Sequence, residues 1–500
     1  MVNAPPTQPK PDPFETPPPA VASHPDVMLS VRTLKRWIED LPLANPARAG
    51  SQLLHQLRLL TRDPDPGAKF ANLLALYDLP VARLLETVHG RLESAADGAQ
   101  PLDQLESLVV ELLTELACGH LRIANQHIAA DKPVPPETLY RAMSLLDRAL
   151  NIDHLRYRRL FPQRWQLILS IFLHAEHQAV ADTRIDAKLR QTDEPDSIQG
   201  LFLRALVICV CDPHHKLPSE IAAWRHWIPP HTDLLVLSLL PQGSYAIPVD
   251  ISGALTPLAG ARSARPGTQT RYLGADGLMQ SLQDDQEAPA SMRQALTDLI
   301  KGRRKSEQRQ TERQPRNHPY RLIYGLRNIH KRLEELTLGA NPETSEVRAV
   351  PCRQVNQSRY GAAFQLQGPL TPPLSVGEPV LAEAAGTADS SAPVGFSARI
   401  RRVFSGEQQQ IEIGVEKIQG RLIPATIVGA TAEKTRGDTQ ALIQHDADTG
   451  RYTLLASRSI YRKGDTVAAE GASMRYNLRM LRLGGVVHQT AYIDVELLDL

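Results

Sequence analysis

Two short stretches hold the side chains best suited to grip a ligand. The first is a basic run from Lys301 to Arg316, seven Arg or Lys residues in sixteen positions, in which Arg309 and Arg313 stand four apart and Arg316 follows. Arginine carries a permanent charge on a planar fork that bonds an oxyanion at two points, and its flat face stacks on rings. The second is Asn356-Gln-Ser358-Arg-Tyr-Gly361. Its Asn and Ser suit a turn, and its glycine is free to take a positive φ and let a ligand approach the backbone. A plainer reading is a solvated basic linker beside an Asn-Ser-Gly turn, and Arg303 and Arg304 compete with Arg309, Arg313 and Arg316 for the arginine roles.

Other candidates are weaker. Cys209, Cys211, Asp212, His214 and His215 have metal-ligand residue types, but no pair spaced by two residues, and adjacent histidines cannot readily face one ion. His120, His127, His174 and His177 read as core or surface histidines. Trp165, Trp224 and Trp227 read as core, with Arg156, Arg158, Arg159 and Arg164 as surface arginines near the first. There is no Gly-x-x-x-x-Gly-Lys loop, Gly-x-Ser-x-Gly elbow or His-Glu-x-x-His pair, so nothing compels an enzyme and we read the chain as a binding protein.

The elements that must position these residues follow from composition and period. Residues 1–26 hold nine of the 39 prolines, which reads as a disordered lead-in. From about Leu34 to about Lys301 the apolar spacing is helical, most clearly at Leu102, Leu105, Val109, Leu112, Leu113 and Leu116, with further helices starting near Pro46, Lys69, Pro136 and Arg164. Tyr245–Val249 reads as a short strand or clamp within that region. Beyond the basic run, alternation at Phe396–Val403, Ile411–Val415 and Tyr476–Leu481 predicts half-buried strands, while 321–336 suits a helix or an extra strand. Gly377-Glu-Pro-Val-Leu-Ala-Glu383 is echoed by Gly464-Asp-Thr-Val-Ala-Ala-Glu470, and each is followed by a strand-like stretch and a closing strand. We read two similar small barrels in tandem.

Five hundred residues, 42% apolar and 22% charged, with a net charge of +1, describe several ordinary globular domains and exclude a bulk polyanion binder. Nucleic acid is therefore not the expected partner. Four cysteines without a disulfide-like pattern, and no apolar run able to cross a bilayer, predict a cytoplasmic protein with no membrane insertion.

The basic run followed by Asn356-x-Ser358-x-x-Gly361 resembles the PilZ family, whose signature is R-x-x-x-R in a flexible segment entering a β-barrel, then D/N-x-S-x-x-G at a strand-to-strand turn. Ala362-Ala-Phe364, Val376-Gly-Glu-Pro-Val380, Ala398–Val403 and Ile413-Gly-Val-Glu416 follow in family-like order, over roughly residues 303–420. The resemblance implies a cyclic di-GMP receptor, with no other cofactor, in which Arg309, Arg313, Arg316, Asn356, Ser358 and Gly361 bind the ligand and a protein partner is engaged through the helical region. A barrel that has lost nucleotide binding and serves as an interaction scaffold is the alternative, motivated by the 42 residues between Arg313 and Asn356. The expected fold is multidomain α+β: tail 1–26, stacked helices 27–300, PilZ-like barrel with its basic arm 301–425, and a second small barrel 426–500. The second barrel's Ser457–Gly464 lacks the Asn and the spacing, which predicts a packing or partner role there.

Overall fold

The computed structural model describes residues 14–94, 103–191, 193–262, 269–305, 314–339, 345–368, 370, 373–385, 395–406, 410–428, 439–446, 449–471 and 474–498. The chain divides between Gln308 and Arg309 into two compact units, the first mainly helical and the second mainly β.

In the helical unit the punctuation read from the sequence starts the helices. Asn45 accepts a hydrogen bond from the Arg48 amide and Pro46 occupies the first turn of α2 (Pro46–Arg62); Pro136 opens α6 (Pro136–Leu155) and Pro162 opens α7 (Pro162–His177). The longest helix, α5 (Gln104–Ala129), begins with a capping box in which Asp103 and Glu106 satisfy each other's amides. Its stripe at Leu105, Val109, Leu112, Leu113 and Leu116 is buried against α2 and α6, while Leu102 lies outside the described residues. Helix α8 (Ile198–Val210) is buried nearly all round, as expected of a central helix. The stretch at Tyr245–Val249 is realised as an edge strand: β2 (Ala246–Asp250) lies in a sheet of order β1 (Val236–Ser238), β3 (Thr270–Gly274), β2, and an edge tolerates the missing amide of Pro248.

Three expectations about this unit need correction. Residues 1–13 of the expected tail lie outside the described residues, and the tail is anchored at Phe14, which is 5% exposed and whose backbone exchanges two hydrogen bonds with the Asn125 side chain (2.8 and 2.9 Å). The helical region does not stop at 300, since α12 (Ala290–Lys305) continues into the basic run. Arg156 and Arg164 are not surface arginines. Arg156 is buried on Glu106 (2.5 Å) and Arg164 on Asp153, each acid supplying the charge that makes burial tolerable. Arg204 of α8 and Arg225 converge on the fully buried Asp147. Burial would raise that carboxyl, but the two guanidiniums outweigh it and hold it at about 2.

The β unit contains two closed six-stranded barrels. The first is ordered β4 (Gln314–Tyr324), β5 (Val350–Gln357), β6 (Gly361–Gln367), β9 (Gln410–Lys417), β8 (Gly395–Ser405), β7 (Pro379–Ala384). The second is ordered β10 (Arg421–Val428), β11 (Gln440–Asp446), β12 (Arg451–Ser457), β15 (Thr490–Leu498), β14 (Arg475–Val487), β13 (Thr466–Gly471). Strand for strand the connectivity is the same, and the echoed glycines, Gly377 and Gly464, both take φ +88° ahead of equivalent strands β7 and β13. The second barrel's first strand starts at Arg421, so the boundary drawn at 425 falls inside β10. A turn at 419–420 separates the barrels.

The stretch at 321–336 is both things the sequence allowed: β4 ends at Tyr324 and α13 (Leu326–Thr337) follows. Helix α13 packs on β10 and β11 of the second barrel, with His330 Nε2 3.1 Å from the Ala425 carbonyl, while buried Arg332 donates to Glu383 of β7 (2.6 Å). A shared apolar cluster including Ile323, Ile329, Leu381, Leu442 and Leu455 joins the two barrels.

A candidate ligand site at the first barrel's β5–β6 hairpin

The register of β4 against β5 closes the long gap between the two sequence stretches. Gln314, the first described residue beyond Arg313, pairs with Gln357, and Pro315 pairs with Asn356. The 42 intervening residues run out along β4, through α13 and back along β5. The end of the arm therefore returns to the hairpin that carries Ser358 and Gly361.

The pairing then slips. Between Pro315↔Asn356 and His318↔Gln354, two residues of β4, Arg316 and Asn317, oppose the single Val355. Such a bulge re-aims side chains and ends regular pairing. Arg316 is exposed and donates to Gln314 Oε1 (2.8 Å); Arg353 on β5 donates through Nε to Asn317 Oδ1. A second slip, between Gln354 and Asn356 against β6, frees Val355 from that strand too.

The turn itself is tightly built. The Ser358 amide donates to the Gly361 carbonyl (2.8 Å), its Oγ lies 3.4 Å from the same oxygen, and the Lys417 amide of β9 donates to the Tyr360 carbonyl (2.8 Å). This leaves Arg359 and Tyr360 outside, Tyr360 44% exposed with the Arg359 guanidinium 5.3 Å from its ring centroid. Asn356 and Ser358 are half-buried. Below the hairpin the barrel interior holds Tyr320, Phe364 and Phe396 in mutual ring contact. Burial pushes the Tyr320 phenol up, and Arg316 works in the opposite direction.

Gly361 departs from expectation. It is not among the residues with positive φ; a Cβ there would lie 2.4 Å from the Val415 carbonyl oxygen. Glycine is needed for the close approach of β6 to β9, so a larger residue disturbs the ladder rather than a ligand contact alone. Arg309 and Arg313 lie outside the described residues. Arg316, Asn356, Ser358 and Gly361 are brought to one end of the β4–β5–β6 sheet.

Sequence reasoning passed over Arg353, Arg359 and Tyr360, which share that end of the sheet, and Gln354. Gln354 is 1% exposed inside the barrel with neither amide atom hydrogen-bonded. Its signal was the alternation of 350–357, which puts a polar amide on an inward position. Among the described residues no cluster of His, Cys, Asp and Glu is arranged to hold a metal, and no helix is long and apolar enough to cross a membrane.

In comparison with known proteins, residues 32–242 match the family described as cyclic-di-GMP receptor FimW, N-terminal domain. No curated protein matches the sequence. Among solved structures, the Borreliella burgdorferi PlzA protein in complex with c-di-GMP aligns over 38% of this chain and 89% of its own, at 10% identity and a TM-score of 0.15, too low to carry an argument.

Proposed function

We propose, from a helical half that matches the N-terminal domain of a cyclic-di-GMP receptor family, that this chain is a PilZ-type cyclic di-GMP receptor whose ligand sits between the basic arm and the β5–β6 hairpin. The match over residues 32–242 carries the reading, and the return of β4 to the hairpin supports the location. Arg309 and Arg313 engage phosphate or guanine edges from the arm, Arg316 adds a third fork from the bulge, and Asn356 and Ser358 offer short polar groups. Two or three such contacts suffice for roughly −8 kcal/mol, micromolar affinity, after the cost of association. The chain acts by binding, not by catalysis.

Transmission follows the covalent path. The arm joins the helical unit to β4, and β4 leads into α13, which packs on the second barrel. Ligand held between the arm and the hairpin alters a partner surface. By the family resemblance, the output belongs to control of motility, type IV pili, biofilm or exopolysaccharide.

Titration calorimetry with cyclic di-GMP, with GTP and cyclic di-AMP as controls, tests the reading. Saturable, guanine-selective binding, weakened at least about tenfold in both Arg313→Ala and Ser358→Ala, is the expected result. Absence of binding to the folded protein leaves the barrel as a protein-interaction scaffold.

A further inference from the structure

A second constellation, inside the helical unit, is independent of the barrel. The segment between α7 and α8 is folded onto α6 by one buried carboxylate. Glu194 accepts from Ser144 Oγ (2.7 Å), Arg148 Nε (2.9 Å) and the Gln191 amide (3.1 Å). The next carbonyl, of Pro195, accepts from Tyr140 (2.8 Å), and the Glu194 carbonyl accepts from Arg190 (3.2 Å). Burial would raise the Glu194 carboxyl, but Arg148 and these hydrogen bonds hold it below the usual range, so the anchor stays charged.

This anchoring leaves a cavity of 230 Å³ between α4 (Asp78–Ser94), α5, α6 and residues 188–191. Its charged lining is Arg141, Arg148, Lys188 and Arg190 against Asp78; Asp78 is paired with Arg141 (3.0 Å) and Arg148 with Glu194 (2.9 Å), which leaves the charges of Lys188 and Arg190 uncompensated by a carboxylate of the lining. At its wall lies His120, 4% exposed, whose Nε2 has no hydrogen-bond partner; the Arg190 Nε is likewise buried and unpartnered. Burial and Arg141 push the imidazole down to about 3, so it is neutral at physiological pH. A neutral imidazole costs little to leave beside cations, yet a buried ring nitrogen without a partner is a group waiting for one.

We propose that this cavity is an anion site for a phosphate group, free or at the end of a small molecule, held by Arg141, Lys188 and Arg190 with His120 Nε2 completing its hydrogen bonds. Cations brought in from separate elements match a compact, multiply charged anion with oxygens on every side. At about 30 Å³ per water, the space equals several waters, enough for a phosphate.

The test is binding of inorganic phosphate, pyrophosphate and AMP to the full chain, followed by calorimetry and ³¹P NMR, in the parent and in Lys188→Ala and Arg141→Gln. Saturable binding of at least one probe is expected, weakened about tenfold or more in each variant at unchanged melting temperature, and indifferent to saturating cyclic di-GMP. Which probe binds most tightly separates free phosphate from a phosphomonoester. Absence of saturable binding by all three, binding unchanged in both variants, or displacement by cyclic di-GMP would each overturn the proposal. So would capture of an oligoglutamate peptide that phosphate does not displace, since the occupant would then be an acidic protein segment.

Discussion

The two barrels share strand order and differ in the hairpin between their second and third strands. In the first, β5 and β6 are joined by Ser358-Arg-Tyr360, pinned by Ser358 and flanked by Arg316 and Arg353. In the second, the equivalent turn joins β11 to β12 and includes Thr449 and Gly450, with the Thr449 hydroxyl donating to Asp446 (2.7 Å) and the Gly450 amide donating to the Asp446 carbonyl (2.8 Å). The sequence search sought the counterpart at Ser457–Gly464, but strand order puts it at Asp446–Gly450. One turn is ringed by guanidiniums. The other opens on a carboxylate, a poor neighbour for a phosphate. The same barrel frame thus carries two chemically different connections at this position.

The two turn glycines give the sharpest way to break the comparison. Gly361→Val should cost roughly 3 kcal/mol or more in chemical denaturation, because its side chain meets the Val415 carbonyl in the β6–β9 ladder.

The junction between the barrels comes next. Glu378 is 4% exposed, and burial raises its carboxyl to about 8 although the Ser375 amide donates to it (3.1 Å). A carboxyl whose folded pKa lies above its unfolded value favours the folded state in full below about 4.5 and loses that contribution as pH rises through about 8. Glu378→Gln should therefore match the parent near pH 4.5 and exceed it by roughly 2–4 kcal/mol at pH 9, measured by urea unfolding at both values. A variant equally destabilised at both would show that the carboxylate itself is required.

Tyr492 of β15 donates to the Gly377 carbonyl (2.6 Å), bonding the second barrel to the glycine that opens β7, and the Arg399 guanidinium lies 4.0 Å from its ring centroid. Tyr492→Phe should cost about 1.5 kcal/mol while keeping the ring contact. The smallest effect is Gly450→Ala, about 1 kcal/mol, since φ is +67° there but nothing stands within 4 Å of a Cβ. If Gly450→Ala proves as damaging as Gly361→Val, the two turns are not constrained differently and the comparison fails.

What could be read in advance was local. Pro46 and Pro136 announced helix starts, the stripe along α5 announced its buried face, and the Gly377 and Gly464 echoes announced two copies of one fold. What could not be read depends on distant partners. Arg156 is buried because Glu106 lies 50 positions earlier, and Arg225 because Asp147 lies 78 positions away, while arginine by type belongs outside. The gap between Arg313 and Asn356 looked like an obstacle because length along the chain does not reveal a β4–β5 register that cancels it. Gly361 was read as a ligand-approach glycine because the type signals a tight place without saying which atom makes it tight.

The cluster of Asp147, Arg204 and Arg225 constrains how this sequence can drift. Changing Asp147 alone strands two cations in the core, and changing one arginine alone leaves a buried carboxylate with half its compensation. Replacing all three with well-packed apolar residues avoids both states. The three positions are therefore mutually entrenched: each single step away leads downhill in fitness even where a destination three steps off is sound, and an exchange here would be inherited as a block.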